Sequence, residues 1–80
     1  MDAIPTLGQL LDERRFPLDA AALLADVHPS AISRWRAGKA RPQATSLIRL
    51  AQGLGISVTR MRKIIDHTMA EAEQNGRVAV

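Results

Sequence analysis

Cysteine is absent from the 80 residues, which removes disulfides, thiolate nucleophiles and most structural zinc sites and leaves stability to packing or association. A reducing cytoplasm suits such a chain. Tyrosine is absent too, and one Trp and one Phe are the only aromatic residues. The core must therefore be aliphatic and alanine-rich, which favours helices over sheets. No apolar run approaches the roughly 18 residues that a bilayer span needs. The opening MDAIPTLGQ lacks the basic-then-apolar order of a secretion signal. The expectation is a soluble cytoplasmic protein with one domain over residues 1–80, too short for a separate ligand-binding domain. No clustered Ser, His and acid and no phosphate-cradling glycine loop is present, and the adjacent Asp12 and Glu13 point apart on a helix. Neither an enzyme nor a cofactor or small-molecule substrate is expected.

The most informative shortage is of negative charge, and it is local. Formal net charge is +3, yet no Asp or Glu occurs between Val27 and Ile65, where Arg34, Arg36, Lys39, Arg41, Arg49, Arg60, Arg62 and Lys63 lie. The flanks are acidic, with Asp2, Asp12, Glu13, Asp19 and Asp26 before the stretch and Asp66, Glu71 and Glu73 after it. Eight cations without acidic neighbours in sequence lack the pairing of an ordinary solvated face, so a polyanion is the expected partner.

Apolar spacing predicts five helices. Thr6 and Gln9 fit a capping box opening a first helix to about Arg15, with Leu7, Leu10 and Leu11 on one face, Phe16 as a core anchor and Pro17 as its stop. A second helix spans about Leu18 to Ala25. Pro29 suits the first position of a third, which reaches about Ala37 before Gly38. Leu47, Leu50, Ala51 and Leu54 mark a fourth. Ser57 is a good N-cap for a fifth, whose stripe of Val58, Met61, Ile64, Ile65, Thr68 or Met69, and Ala72 continues until Asn75-Gly76. Residues 77–80 are a frayed tail or a short strand.

The second and third helices are spaced as a helix-turn-helix. Two helices crossing steeply need a very small residue at their contact, a left-handed residue in the turn and apolar residues inside the second helix. Ala22, Asp26 and the trio Val27, Ile32 and Trp35 meet those needs. Trp35 and Ile32 share the inner face, so Trp35 is structural rather than a base-stacking residue. Met61 and Met69 are core or interface fillers.

DVHPSAISRWRAGKARP, followed by LIRLAQGLGISVTRM, resembles the Xre-type DNA-binding domain of Cro and the lambdoid phage repressors, over about Leu7 to Ile65. That resemblance implies an all-α, five-helix, lambda-repressor-like bundle, usually dimeric on a near-palindromic operator. By position it implies that His28, Pro29, Ser30, Ser33 and Arg34 face the groove of double-stranded DNA, with Lys39, Arg41 and Gln43 against phosphates. Arg34 is the one long side chain of the set able to grip guanine bidentately, whereas Ser30 and Ser33 donate or accept and discriminate weakly. His28 is better suited to capping the third helix or touching phosphate than to reading a base. It is not a metal ligand, because His67 lies on another helix.

Two departures from the family narrow the expected readout. Leu18 stands where a glutamine often clamps phosphate, and Pro29 where a polar base reader is common. Leu11 and Arg36 replace an arginine–glutamate pair, which would free Arg36 for phosphate. On the second helix, Ala21 and Ala25 stand where leucines are often buried and Leu23 and Leu24 where polar residues are usual. Either the helix is rotated to bury one leucine or the pair forms an exposed partner patch.

The expected function is sequence-specific regulation of transcription by a repressor in a bacterial or phage-infected cell. Homodimerisation is expected through residues 57–80, where the apolar stripe runs past the core. The alternative is a protein-interaction module of antitoxin or anti-repressor type.

Overall fold

The computed structural model describes residues 3–78. Five helices, α1 (Leu7–Glu13), α2 (Leu18–Ala25), α3 (Pro29–Arg36), α4 (Ala44–Leu54) and α5 (Val58–Val78), form an all-α bundle with no strand among the described residues. The capping box is formed at α1: the Gln9 amide donates to Thr6 Oγ1 (3.2 Å) and the Thr6 amide to Gln9 Oε1 (3.0 Å).

The first four helices share one ending. Arg15, Asp26, Gly38 and Gly55 have φ of 53°, 58°, 72° and 71°, and the residue after each donates its amide to a carbonyl five positions back. Those bonds are Phe16 to Leu11 (2.8 Å), Val27 to Ala22 (3.0 Å), Lys39 to Arg34 (2.9 Å) and Ile56 to Ala51 (3.0 Å). This is the Schellman closure, which satisfies carbonyls that the helix end leaves orphaned. It corrects the stop expected for the first helix. α1 ends at Glu13 because Arg15 turns left-handed, before Pro17 can act. At the other end of the chain, Asn75 and Gly76 do not stop α5, which runs on to Val78. A glycine within a helix costs about 1 kcal/mol relative to alanine, too little alone to end a long one. Residues 77 and 78 are thus helical rather than extended, while 79 and 80 lie outside the described residues.

The buried side chains follow the expected stripes: Leu7, Leu10 and Leu11 on α1, Ile32 and Trp35 on α3, Leu47, Leu50, Ala51 and Leu54 on α4, and Met61, Ile64 and Ile65 on α5. α2 contributes Ala21, Ala22 and Ala25 and packs chiefly on α3 and α4. Of its leucine pair one residue is covered and the other is not, and Ala21 and Ala25 remain the buried positions. Leu24 is half-buried over Gly53 of α4, whereas Leu23 is 83% exposed.

The stripe of α5 does not run past the core. Thr68 is buried, accepts the Leu7 amide (2.8 Å) and donates to the Ile64 carbonyl (2.7 Å). Met69 packs partly against the core, and Ala72 covers Gly38 so closely that a Cβ there would collide with the Ala72 Cβ and lie 2.9 Å from the Thr68 carbonyl oxygen. These residues serve the chain's own packing.

Gly38 and Gly55 share a left-handed backbone, but a Cβ at Gly55 meets nothing within 4 Å. Gly55→Ala is therefore expected to cost about 1–2 kcal/mol, from backbone strain alone. Gly38→Ala adds overpacking worth about 1–3 kcal/mol more. Urea unfolding of the two variants measures the difference, and equal losses would show that α5 yields freely at Ala72.

Candidate nucleic-acid interface

The turn between α2 and α3 is built as the sequence requires. Ala22 is buried at the helix contact, Asp26 takes the left-handed position, and Val27 is half-buried behind it. His28 is the N-cap of α3, with φ −72° and ψ 145°, and its Nδ1 accepts the Ser30 amide (3.1 Å). Pro29 fills the first helical position, where a missing N–H loses nothing. The expectation of a capping role for His28 is met.

α3 is two-faced. Ile32 and Trp35 lie inside at 0% and 6% exposure, while Ser30, Ser33 and Arg34 are exposed. His28 is exposed beside them and Pro29 is half-buried. Gly38 turns the chain so that exposed Lys39, Arg41 and Gln43 follow. Gln43 is the N-cap residue of α4 but makes no side-chain cap bond. Exposed residues of the set thus occur at the α3 N-terminus, on the outer face of α3 and in the α3–α4 loop.

Arg36 behaves differently from expectation. Its Nη2 donates to both carboxylate oxygens of Asp12 at 2.8 Å, and its stem lies along Gly8. The chain has replaced the family's pair rather than lost it, with the carboxylate now on α1 and the guanidinium on α3. Arg36 is therefore held at the α1–α3 contact and not freed. Arg41 likewise pairs with Asp66 (2.8 Å) and Arg49 with Asp26 (2.8 Å). Three of the eight cations in the acid-free stretch are matched by carboxylates from the acidic flanks. Among the described residues Arg34, Lys39, Arg60, Arg62 and Lys63 have no ion-pair partner.

Arg14 donates to the Leu54 carbonyl at the end of α4, where a cation meets the negative pole of the helix. No local pattern in the sequence marks the partners of Asp12, Asp66 and Arg14, since each lies more than twenty residues away. His67 sits 3.5 Å from Glu71 on α5, remote in sequence from His28. Among the described residues no three His, Cys, Asp or Glu side chains converge, and no helix is long and apolar enough to cross a membrane.

A family model described as helix-turn-helix matches residues 7–61, more than half of the chain. No curated protein and no solved structure matches it.

The Asp12–Arg36 pair is solvent-exposed, at 66% and 38% of the two side chains, so its coupling in a double-mutant cycle of Asp12→Ala and Arg36→Ala is expected below about 1 kcal/mol. Thermal or urea unfolding reads it. A larger value would make the pair a structural link rather than a cation kept in reserve.

Proposed function

The chain belongs to the helix-turn-helix family, and from that premise we propose that it is a sequence-specific repressor of Cro or phage-repressor type, acting by occupying an operator. The observation that carries this reading is the outer face of α3, where Ser30, Ser33 and Arg34 are exposed beside a loop with the unpaired Lys39. In the major groove that face would present Arg34 to guanine O6 and N7, with the two serines beside it and His28 and Pro29 at the entry. Lys39, Arg41 and Gln43 would meet the sugar-phosphate wall. Arg36 and Arg41 join the phosphate contacts by exchanging Asp12 and Asp66 for DNA, because exposed ion pairs are weak enough to be displaced by a polyanion. Exposed Leu23 is the observation on the side of an interaction module, but it lies on α2 and leaves the face of α3 untouched.

Pairing of two copies through residues 57–80 belongs to the proposal on narrower support than the stripe suggested. Thr68 and Ala72 are used within the chain, which leaves part of Met69 and the exposed Gln74 and Asn75 for a second copy. Sedimentation equilibrium should show a dimer, free or on DNA, and a monomer under both conditions at high micromolar concentration removes this part of the reading.

Arg34→Ala should cost about 1–3 kcal/mol on the best site and relax preference at one base pair. Lys39→Ala should weaken all sequences alike and flatten the salt slope by about one unit. With about four phosphate contacts per copy, log affinity should fall with log salt at a slope near −3.5 for each half-site. Titrations against an enriched site and a scrambled one measure all three quantities. A nearly salt-independent affinity would transfer the reading to the interaction module, and equal losses for Arg34→Ala on both DNAs would reduce Arg34 to a phosphate contact.

A further inference from the structure

A serine hydroxyl that turns freely either donates or accepts and so reads bases weakly. Ser30 is not in that condition. Its amide donates to His28 Nδ1 at 3.1 Å, and its Oγ lies 2.9 Å from the same nitrogen. A backbone N–H can only donate, so Nδ1 is the lone-pair nitrogen and the proton of the neutral imidazole sits on Nε2. With no proton on Nδ1, the only hydrogen that can fill the 2.9 Å contact is that of the Ser30 hydroxyl. Both bonds converge on one lone pair, and together they fix the hydroxyl hydrogen toward the imidazole.

We infer that His28 holds Ser30 as a hydrogen-bond acceptor, so that Ser30 selects base edges carrying an exocyclic amino donor, adenine N6 or cytosine N4, over thymine O4 or guanine O6. This rests on the proposed reading that the first turn of α3 faces base edges. Against O4 or O6, two acceptor oxygens would oppose each other, and turning the hydroxyl outward would break its bond to Nδ1. The two serines then differ in role. Among the described residues Ser33 Oγ has no hydrogen-bond partner and keeps both capacities. His28 acts as a positioning residue, and its Nε2–H is a donor suited to a phosphate oxygen.

Two measurements separate this inference from the reading beneath it. Nitrogen-15 NMR of the free protein should show His28 carrying a proton on Nε2 and none on Nδ1. A protonated Nδ1 overturns the inference whatever happens on DNA. The second measurement uses a site enriched from random duplexes and resynthesised with single adenines or cytosines lacking the amino group, or single thymines or guanines lacking O4 or O6. Removing one amino group should weaken the wild type roughly fivefold, the equivalent of one neutral hydrogen bond, and leave Ser30→Ala unaffected. His28→Gly, with helix content checked by circular dichroism, should bring amino and oxo edges toward equal affinity. Coupling of Ser30 to O4 or O6, or to no base atom, overturns the inference and leaves the repressor reading standing. Binding with no preference for any site overturns both.

Discussion

The Thr68 hydroxyl is the polar contact on which the arrangement of the helices turns. It accepts the first amide of α1, which no intrahelical carbonyl can satisfy, and donates to Ile64 one turn back on its own helix. Buried polar groups must be paired, so a hydroxyl at this depth specifies which turn of α5 lies against the start of α1. One turn further on, Ala72 rests on Gly38, the residue that ends α3. α5 therefore fixes at once where α1 begins and where α3 stops. The C-terminal end of α3, and with it the placing of its outer face, is thus set by a contact that face does not itself display.

Charge is arranged with the same economy. The acid-free stretch looks in sequence like a bare cationic surface, but folding brings the acidic flanks against part of it. Asp12, Asp26 and Asp66 each take one arginine, which lowers self-repulsion in the free protein. The unpaired Arg34 and Lys39 lie on the face of α3 and just beyond its end. Exposed pairs of this kind hold their partners weakly, so a phosphate can replace a carboxylate without a large conformational step. On the proposed reading, folding would separate the cations into those already available and those released on encounter with DNA.

What was legible in the sequence is what local chemistry dictates. The Thr6–Gln9 box, the Pro29 start, the Asp26 turn and the 3.6-residue stripes each depend on residues within one or two turns, and all appear where expected. The left-handed Arg15 was not legible, because arginine has no preference for that conformation, and it lies where the chain turns to bring Phe16 against the core. Nor was Asp12–Arg36, which joins two helices 24 residues apart. Leu23 and Leu24 could not be told apart, since neighbours on a helix differ only in direction and the choice is made by the space over Gly53 on α4. At the candidate site, the outward direction of Arg34 followed from the inward spacing of Ile32 and Trp35, whereas Ser30, Ser33 and Lys39 were implied by the family resemblance and are exposed. The hydroxyl orientation at Ser30 followed from neither, because it depends on how the cap is made.

On the proposed reading, the composition of α3 also bears on why two copies would be needed. One arginine fork is worth about 1–3 kcal/mol of discrimination, and hydroxyls add less. Specific regulators bind their sites about 4–10 kcal/mol more tightly than random DNA. A single α3 with Arg34, Ser30 and Ser33, and with Pro29 where a further polar reader could stand, falls at or below the lower end of that range. Phosphate contacts cannot close the gap, because they strengthen every sequence equally. Placing a second copy on the symmetric half of an operator doubles the base contacts and adds half-site spacing as a further condition. For a recognition helix this sparse, the selectivity of a repressor has to come from two-fold pairing more than from any additional side chain within one chain.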